Sequence, residues 1–65
     1  MCEATVIISA DGREHQIMEN VVALRQDEDG RLLLADLLGE QKLVRARVRD
    51  VDFLRHRIVL EEIDE

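Results

Sequence analysis

Aromatic residues are almost missing from this sequence: Phe53 stands alone, with no tryptophan and no tyrosine. That removes the stacking platforms on which single-strand nucleic-acid binders depend. Cysteine is as scarce. Cys2 is the only one, so no disulfide can close within the chain and no CxxC metal pair exists. There is no proline, and no linker, low-complexity stretch or internal repeat marks a boundary, so residues 1–65 read as one domain. Long apolar runs are absent too. None approaches the roughly 20 residues of a membrane span. The amino terminus also lacks the basic-then-apolar pattern of a secretory signal. A free thiol without an export signal predicts the reducing cytoplasm.

Acidic residues outnumber basic ones, 15 to 9, which gives a net charge of −6 and a pI near 4.8. Phosphate groups would meet an acidic field, so no nucleic-acid partner is expected. Arg45, Arg47 and Arg49 do form a basic stripe, but the surplus of carboxylates predicts cross-strand ion pairing as its use. The acidic end Glu61-Glu62 and Asp64-Glu65 reads as a solvated tail. No serine–histidine–acid set and no phosphate-binding glycine loop is present. A chain this short leaves no obvious substrate pocket once its core is filled, so catalysis is not expected.

A 65-residue chain lies in the size range where burial on folding is marginal. With no disulfide, and with a metal at the extreme amino terminus able to staple little, self-association is the remaining route to stability. A homodimer is the default expectation. The hydrophobic content of 46% suffices for a small, almost wholly aliphatic core.

Periodicity points to strands. From Glu3 to Ser9, Ala4, Val6 and Ile8 fall on one face, with β-branched residues dominating. Asp11-Gly12 is a hairpin turn signal, since the tight turn needs positive φ. A second strand runs from about Glu14 to Leu24, long enough to require a bend or bulge near Glu19-Asn20. Arg31 to Asp36 follows a second Asp-Gly turn; Leu33, Leu34, Leu37 and Leu38 sit at helical spacing, so a short helix competes there. Gln41 to Val51 alternates as a single strand, and His56 to Ile63 forms the last. About five short strands joined by tight turns predict an all-β fold, a small antiparallel β-barrel, because closure removes exposed edges.

What remains is the position of Cys2, directly after Met1. The terminal amine of Met1, the backbone nitrogen of Cys2 and its sulfur lie within one residue of each other. Together they can close two small chelate rings on one cation. Flat nitrogen-plus-sulfur arrays suit nickel(II) or copper(II), whereas magnesium and calcium favour oxygen ligands. Against this stands the ordinary behaviour of a lone cysteine as a small inert hydrophobe. In an extended first strand Cys2 is in phase with Ala4, Val6 and Ile8, at the rim of the core near solvent. Glu3 reads as a surface carboxylate that can bind water beside the metal. His15 and His56 match no short ligand spacing, and Arg55 and Arg57 make the surroundings of His56 unfavourable to a cation.

The opening Met1-Cys2-Glu3-Ala4-Thr5-Val6, the Asp11-Gly12 and Gly39-Glu40 turns and the closing His56-Arg57-Ile58-Val59-Leu60-Glu61 resemble the CooT family. These are small nickel-binding proteins associated with maturation of carbon monoxide dehydrogenase. The resemblance spans essentially the whole chain, and Met-Cys-Glu-Ala is its most specific part. It implies an Sm-like barrel, a homodimer, and nickel bound through Cys2 of each subunit at the interface, with the Met1 amine and Cys2 amide as nitrogen donors. The expected function is therefore that of a cytoplasmic nickel chaperone or carrier serving carbon monoxide dehydrogenase or its maturation factors. Two alternatives stay open: an Sm-like interaction module without a metal, and a copper or zinc carrier.

Overall fold

The computed structural model describes residues 3–63. The described chain is all-β, with six strands: β1 (Ala4–Ala10), β2 (Arg13–Gln26), β3 (Leu32–Asp36), β4 (Gln41–Val44), β5 (Ala46–Asp52) and β6 (Arg57–Glu62). They form one sheet in the order β4-β3-β2-β1-β6-β5.

β1 and β2 join through Asp11 and Gly12 at φ 54° and 75°, the two consecutive positive values that an Asp-Gly hairpin supplies at least strain. β2 then serves two partners. Its first half pairs with β1, its second half with β3. Between them the register slips: Ala4 faces Val21 while Val6 faces Met18, so β2 spends an extra residue where β1 does not. Asn20 sits at that slip with φ 58°, a conformation asparagine tolerates better than most residues. Its carbonyl accepts the Leu37 N–H at 2.9 Å. The bend expected near Glu19-Asn20 is present.

The leucine-rich stretch is a strand, not a helix. Leu32 and Leu34 are buried and alternate with half-buried Leu33 and Ala35. Leu37 and Leu38 leave this pattern because they belong to the following turn. There the Asp36 carboxylate accepts the Leu38 and Glu40 N–H groups at 3.0 and 2.8 Å, and Gly39 adopts φ 90°.

Three expectations need correction. First, Gln41 to Val51 is two strands, not one, which makes six strands rather than about five. β4 pairs with β3 and β5 with β6, and only Arg45 separates them. Alternation is the same on both sides of the corner, so the pattern of side chains carries no sign of it. Second, the sheet is mixed. β6 lies parallel to β1, with Thr5 opposite Arg57 and Ser9 opposite Glu61. Hairpin reasoning sees only strands adjacent in sequence and cannot detect such a pair. Third, the hydrogen-bonded ladder does not close into a barrel: β4 and β5 are its two edges. They follow one another end to end, so they cannot lie side by side as a ladder. The single-residue link still holds the Cα atoms of Val44 and Ala46 within about 7 Å. The two edges of the curled sheet thus meet at this corner, where the Arg45 carbonyl accepts the Ile63 N–H at 3.1 Å.

The curl encloses a core to which five of the six strands contribute: Val6, Val21, Leu32, Leu34, Ala46 and Leu60, with Ile8, Ile17, Met18, Leu24, Val44 and Ile58 packed against it. Each fully buried valine or leucine contributes about 1.5–3 kcal/mol of transfer free energy. The described residues include no buried polar or charged side chain.

Candidate functional site

β1 begins in the middle of the sheet rather than at an edge. Ala4 pairs with Val21 of β2 on one side, and Thr5 pairs with Arg57 of β6 on the other. The Thr5 N–H donates to the His56 carbonyl at 2.8 Å, which ties the first strand to the start of the last. Met1 and Cys2, the metal ligands expected from the sequence, lie outside the described residues. Glu3 is half-buried.

Beside Ala4 the second half of β2 and the β5–β6 turn diverge and leave an open groove of about 220 Å³. Its walls are mainly apolar, formed by Val22 and Leu24 of β2, Val51 of β5, Phe53 of the turn, and Ile58 of β6. The turn is built by its own side chains. Asp52 accepts the Arg55 N–H at 3.1 Å and faces the Arg55 guanidinium at 3.7 Å, while His56 takes φ 53° to re-enter β6. This geometry directs Phe53 and Leu54 outward, 84% and 94% exposed.

The two imidazoles are not brought together. His56 lines the groove near Ala4, whereas His15 pairs with Ile8 further along β1. Among the described residues, no three histidine, cysteine or acidic side chains are grouped to hold a metal ion. Within the basic stripe Arg47 forms the expected cross-strand ion pair: it stands opposite Glu61 and donates to its carboxylate at 3.0 Å. Arg49 instead reaches the neutral Ser9 hydroxyl at 3.4 Å, and Arg57, outside the stripe, meets Glu14 at 3.4 Å. Such exposed pairs are worth about 0–1 kcal/mol each. Glu61 and Glu62 are ladder residues of β6 rather than a frayed tail, which corrects the expectation for that end; Asp64 and Glu65 lie outside the described residues.

Among the described residues, Asp27 is the one carboxylate whose ionisation is clearly displaced. Hydrogen bonds from the Arg31 and Asp29 N–H groups, both 2.9 Å, and the Arg31 guanidinium at 3.3 Å hold its carboxyl below the ordinary value, the Arg31 N–H most strongly. It organises the β2–β3 turn, at the other end of β2's second half from Val21 and Ala4.

Sequence reasoning did not single out the groove or its rim. The available signal was Phe53-Leu54, two large apolar residues in succession inside a turn bounded by Asp52 and Arg55.

No helix of the described residues is long and apolar enough to cross a membrane. The family model described as CO dehydrogenase accessory protein CooT matches residues 1–61. A crystal structure of a candidate CooT from Carboxydothermus hydrogenoformans superposes with a TM-score of 0.87 at 35% identity, covering 97% of this chain and 100% of that one. No curated protein matches the chain.

Proposed function

The chain belongs to the CooT family of CO dehydrogenase accessory proteins, and from that premise we propose that it is a nickel(II) carrier for maturation of that enzyme. The proposed carrier is a cytoplasmic homodimer. One ion is held between the Cys2 residues of two copies, with the Met1 amine and the Cys2 amide as nitrogen donors. The observation that carries the reading is that the family match covers residues 1–61 and so includes Cys2, the one cysteine of the sequence. Chemistry supports the choice of metal. A thiolate with adjacent amine and amide nitrogens provides the flat N/S field suited to nickel(II).

Nickel titration of untagged protein tests this. Cys2→Ser should abolish binding and the sulfur-to-nickel absorption while leaving the β-sheet spectrum unchanged. A glycine added before Met1 turns the amine donor into an amide and should weaken binding by orders of magnitude. Affinity should rise with pH, because amine and thiol, with ordinary pKa values of about 8 and 8.5, must both lose protons. A serine variant that binds as tightly as the parent would overturn the carrier reading. Copper(II) favours the same donor set and stands above nickel in intrinsic affinity, so equal-concentration competition belongs in the same series.

A further inference from the structure

We propose that the β3–β4 turn is the docking surface for CO dehydrogenase, which seats an apolar hollow rimmed by lysine or arginine on Leu37 and Leu38. The choice of partner rests on the carrier reading; the surface and its chemistry stand on the turn itself.

Tight turns favour glycine, proline, asparagine, aspartate and serine, each for a backbone reason. This one carries two leucines, 55% and 88% exposed. Neither leucine side chain is needed to shape it. The Asp36 carboxylate accepts the Leu38 and Glu40 N–H groups, the Asp36 N–H donates to the Glu40 carbonyl at 2.9 Å, and Gly39 supplies the left-handed residue. The bond from the Leu37 N–H to the Asn20 carbonyl ties the turn to the corner of β2. Leu37 and Leu38 are therefore held in water on a fixed frame, and a partner that covers them costs the backbone little ordering.

Beside Leu38 lies an open recess of about 530 Å³, lined on the β2 side by half-buried Ile17 and Met18. Its ionisable lining is three carboxylates, Glu19, Asp36 and Glu40, against one amine, Lys42. Asp36 is engaged by the turn, and the Lys42 amine is drawn onto the Ile17 carbonyl at 3.2 Å. Glu19 and Glu40 are exposed, and they give the apolar surface a negative rim.

Charge selects the occupant. A lysine or arginine of the partner can lay its aliphatic stem along Ile17 and Met18 and bring its cation to Glu19 or Glu40. A second copy fits badly, because a chain of net charge −6 sets carboxylates against carboxylates. Placement supports the same partner. Asp36 pairs with Val21 and Val21 with Ala4, so the turn lies two strand spacings, about 10 Å, from the start of β1. A protein seated on the turn is thus beside the end of the molecule where the carrier reading puts the ion.

Titration calorimetry of untagged protein with nickel-free CO dehydrogenase, at low and high salt, tests the proposal. The parent should bind, and more weakly as salt rises. Leu38→Asp should weaken binding about 100-fold or more. Glu40→Lys should weaken it about 10-fold and flatten the salt dependence. Glu28→Lys makes the same charge change at an exposed position of the β2–β3 turn and should leave affinity within about twofold of the parent. Should Leu38→Asp fail to fold, cross-saturation NMR of the parent gives the answer: saturation from the enzyme should reach the Leu37, Leu38 and Met18 methyls. A parent that does not bind overturns the proposal, as does a Leu38→Asp variant that binds as tightly or methyls that saturation does not reach. A shift in the oligomeric state of Leu38→Asp on sedimentation would assign the face to a second copy and overturn it too. Nickel retained by Cys2→Ser overturns the carrier reading and leaves the docking result standing.

Discussion

The core and the groove use the same aliphatic side chains to opposite ends. Leu34 and Leu60 are fully buried between the curled halves of the sheet, while Leu54 is almost fully exposed at a turn whose hydrogen bonds point it outward. Burial inside the chain is what makes the first pair stabilising. The exposed leucine adds little to the fold, because it stays in water. Position in the topology, not residue type, separates the stabilising leucines from the exposed one.

The comparison breaks most visibly under truncation. Leu34→Ala leaves a cavity and should cost about 2–5 kcal/mol, a large share of the roughly 5–15 kcal/mol that a native domain holds. Urea denaturation should show that loss at every protein concentration. Leu54→Ala, at a side chain 94% exposed, should change stability by no more than about 0.5 kcal/mol. A loss close to that of Leu34→Ala would place Leu54 in the fold's core.

The corner of β2 offers a smaller effect. Asn20→Val forces a β-branched residue into φ 58° and should cost about 1–2 kcal/mol. Asn20→Gly should remain within a few tenths of the parent by the same assay. Equal stability of the two variants would show that the bend relaxes without the left-handed conformation.

Much of the fold was legible because period and turn chemistry act locally. β1, the Asp11-Gly12 hairpin and the bend in β2 all follow from residues near one another. The corner at Arg45 and the parallel β1–β6 pair were not legible. Which strand a segment pairs with depends on where the whole sheet carries it, and Leu43, Val44 and Ala46 look alike for either partner. The helical spacing of Leu33, Leu34, Leu37 and Leu38 left a helix in competition with the strand, and the strand prevails because two of the four belong to a turn fixed by Asp36. For the site, the sequence offers Cys2 and Met1 as candidate ligands, and both lie outside the described residues. The groove was not legible, because it arises where β2 and the β5–β6 turn diverge in space.

Surface charges should matter least. Arg47→Ala removes the cross-strand pair with Glu61 and should cost no more than about 1 kcal/mol, less in high salt. Asp27 has a depressed carboxyl pKa, so its contribution is present above the unfolded carboxylate value and lost as pH falls through the folded one. Asp27→Ala should therefore lower stability slightly at neutral pH and flatten the loss on acidification below about pH 4. An unchanged acid limb in thermal melts across pH would show that the β2–β3 turn does not report on Asp27.

Native mass spectrometry of untagged protein loaded with nickel addresses the shared site most directly. The account predicts a dimer carrying one nickel ion, and a Cys2→Ser dimer carrying none. One ion per chain, or a nickel-bearing monomer, would contradict it.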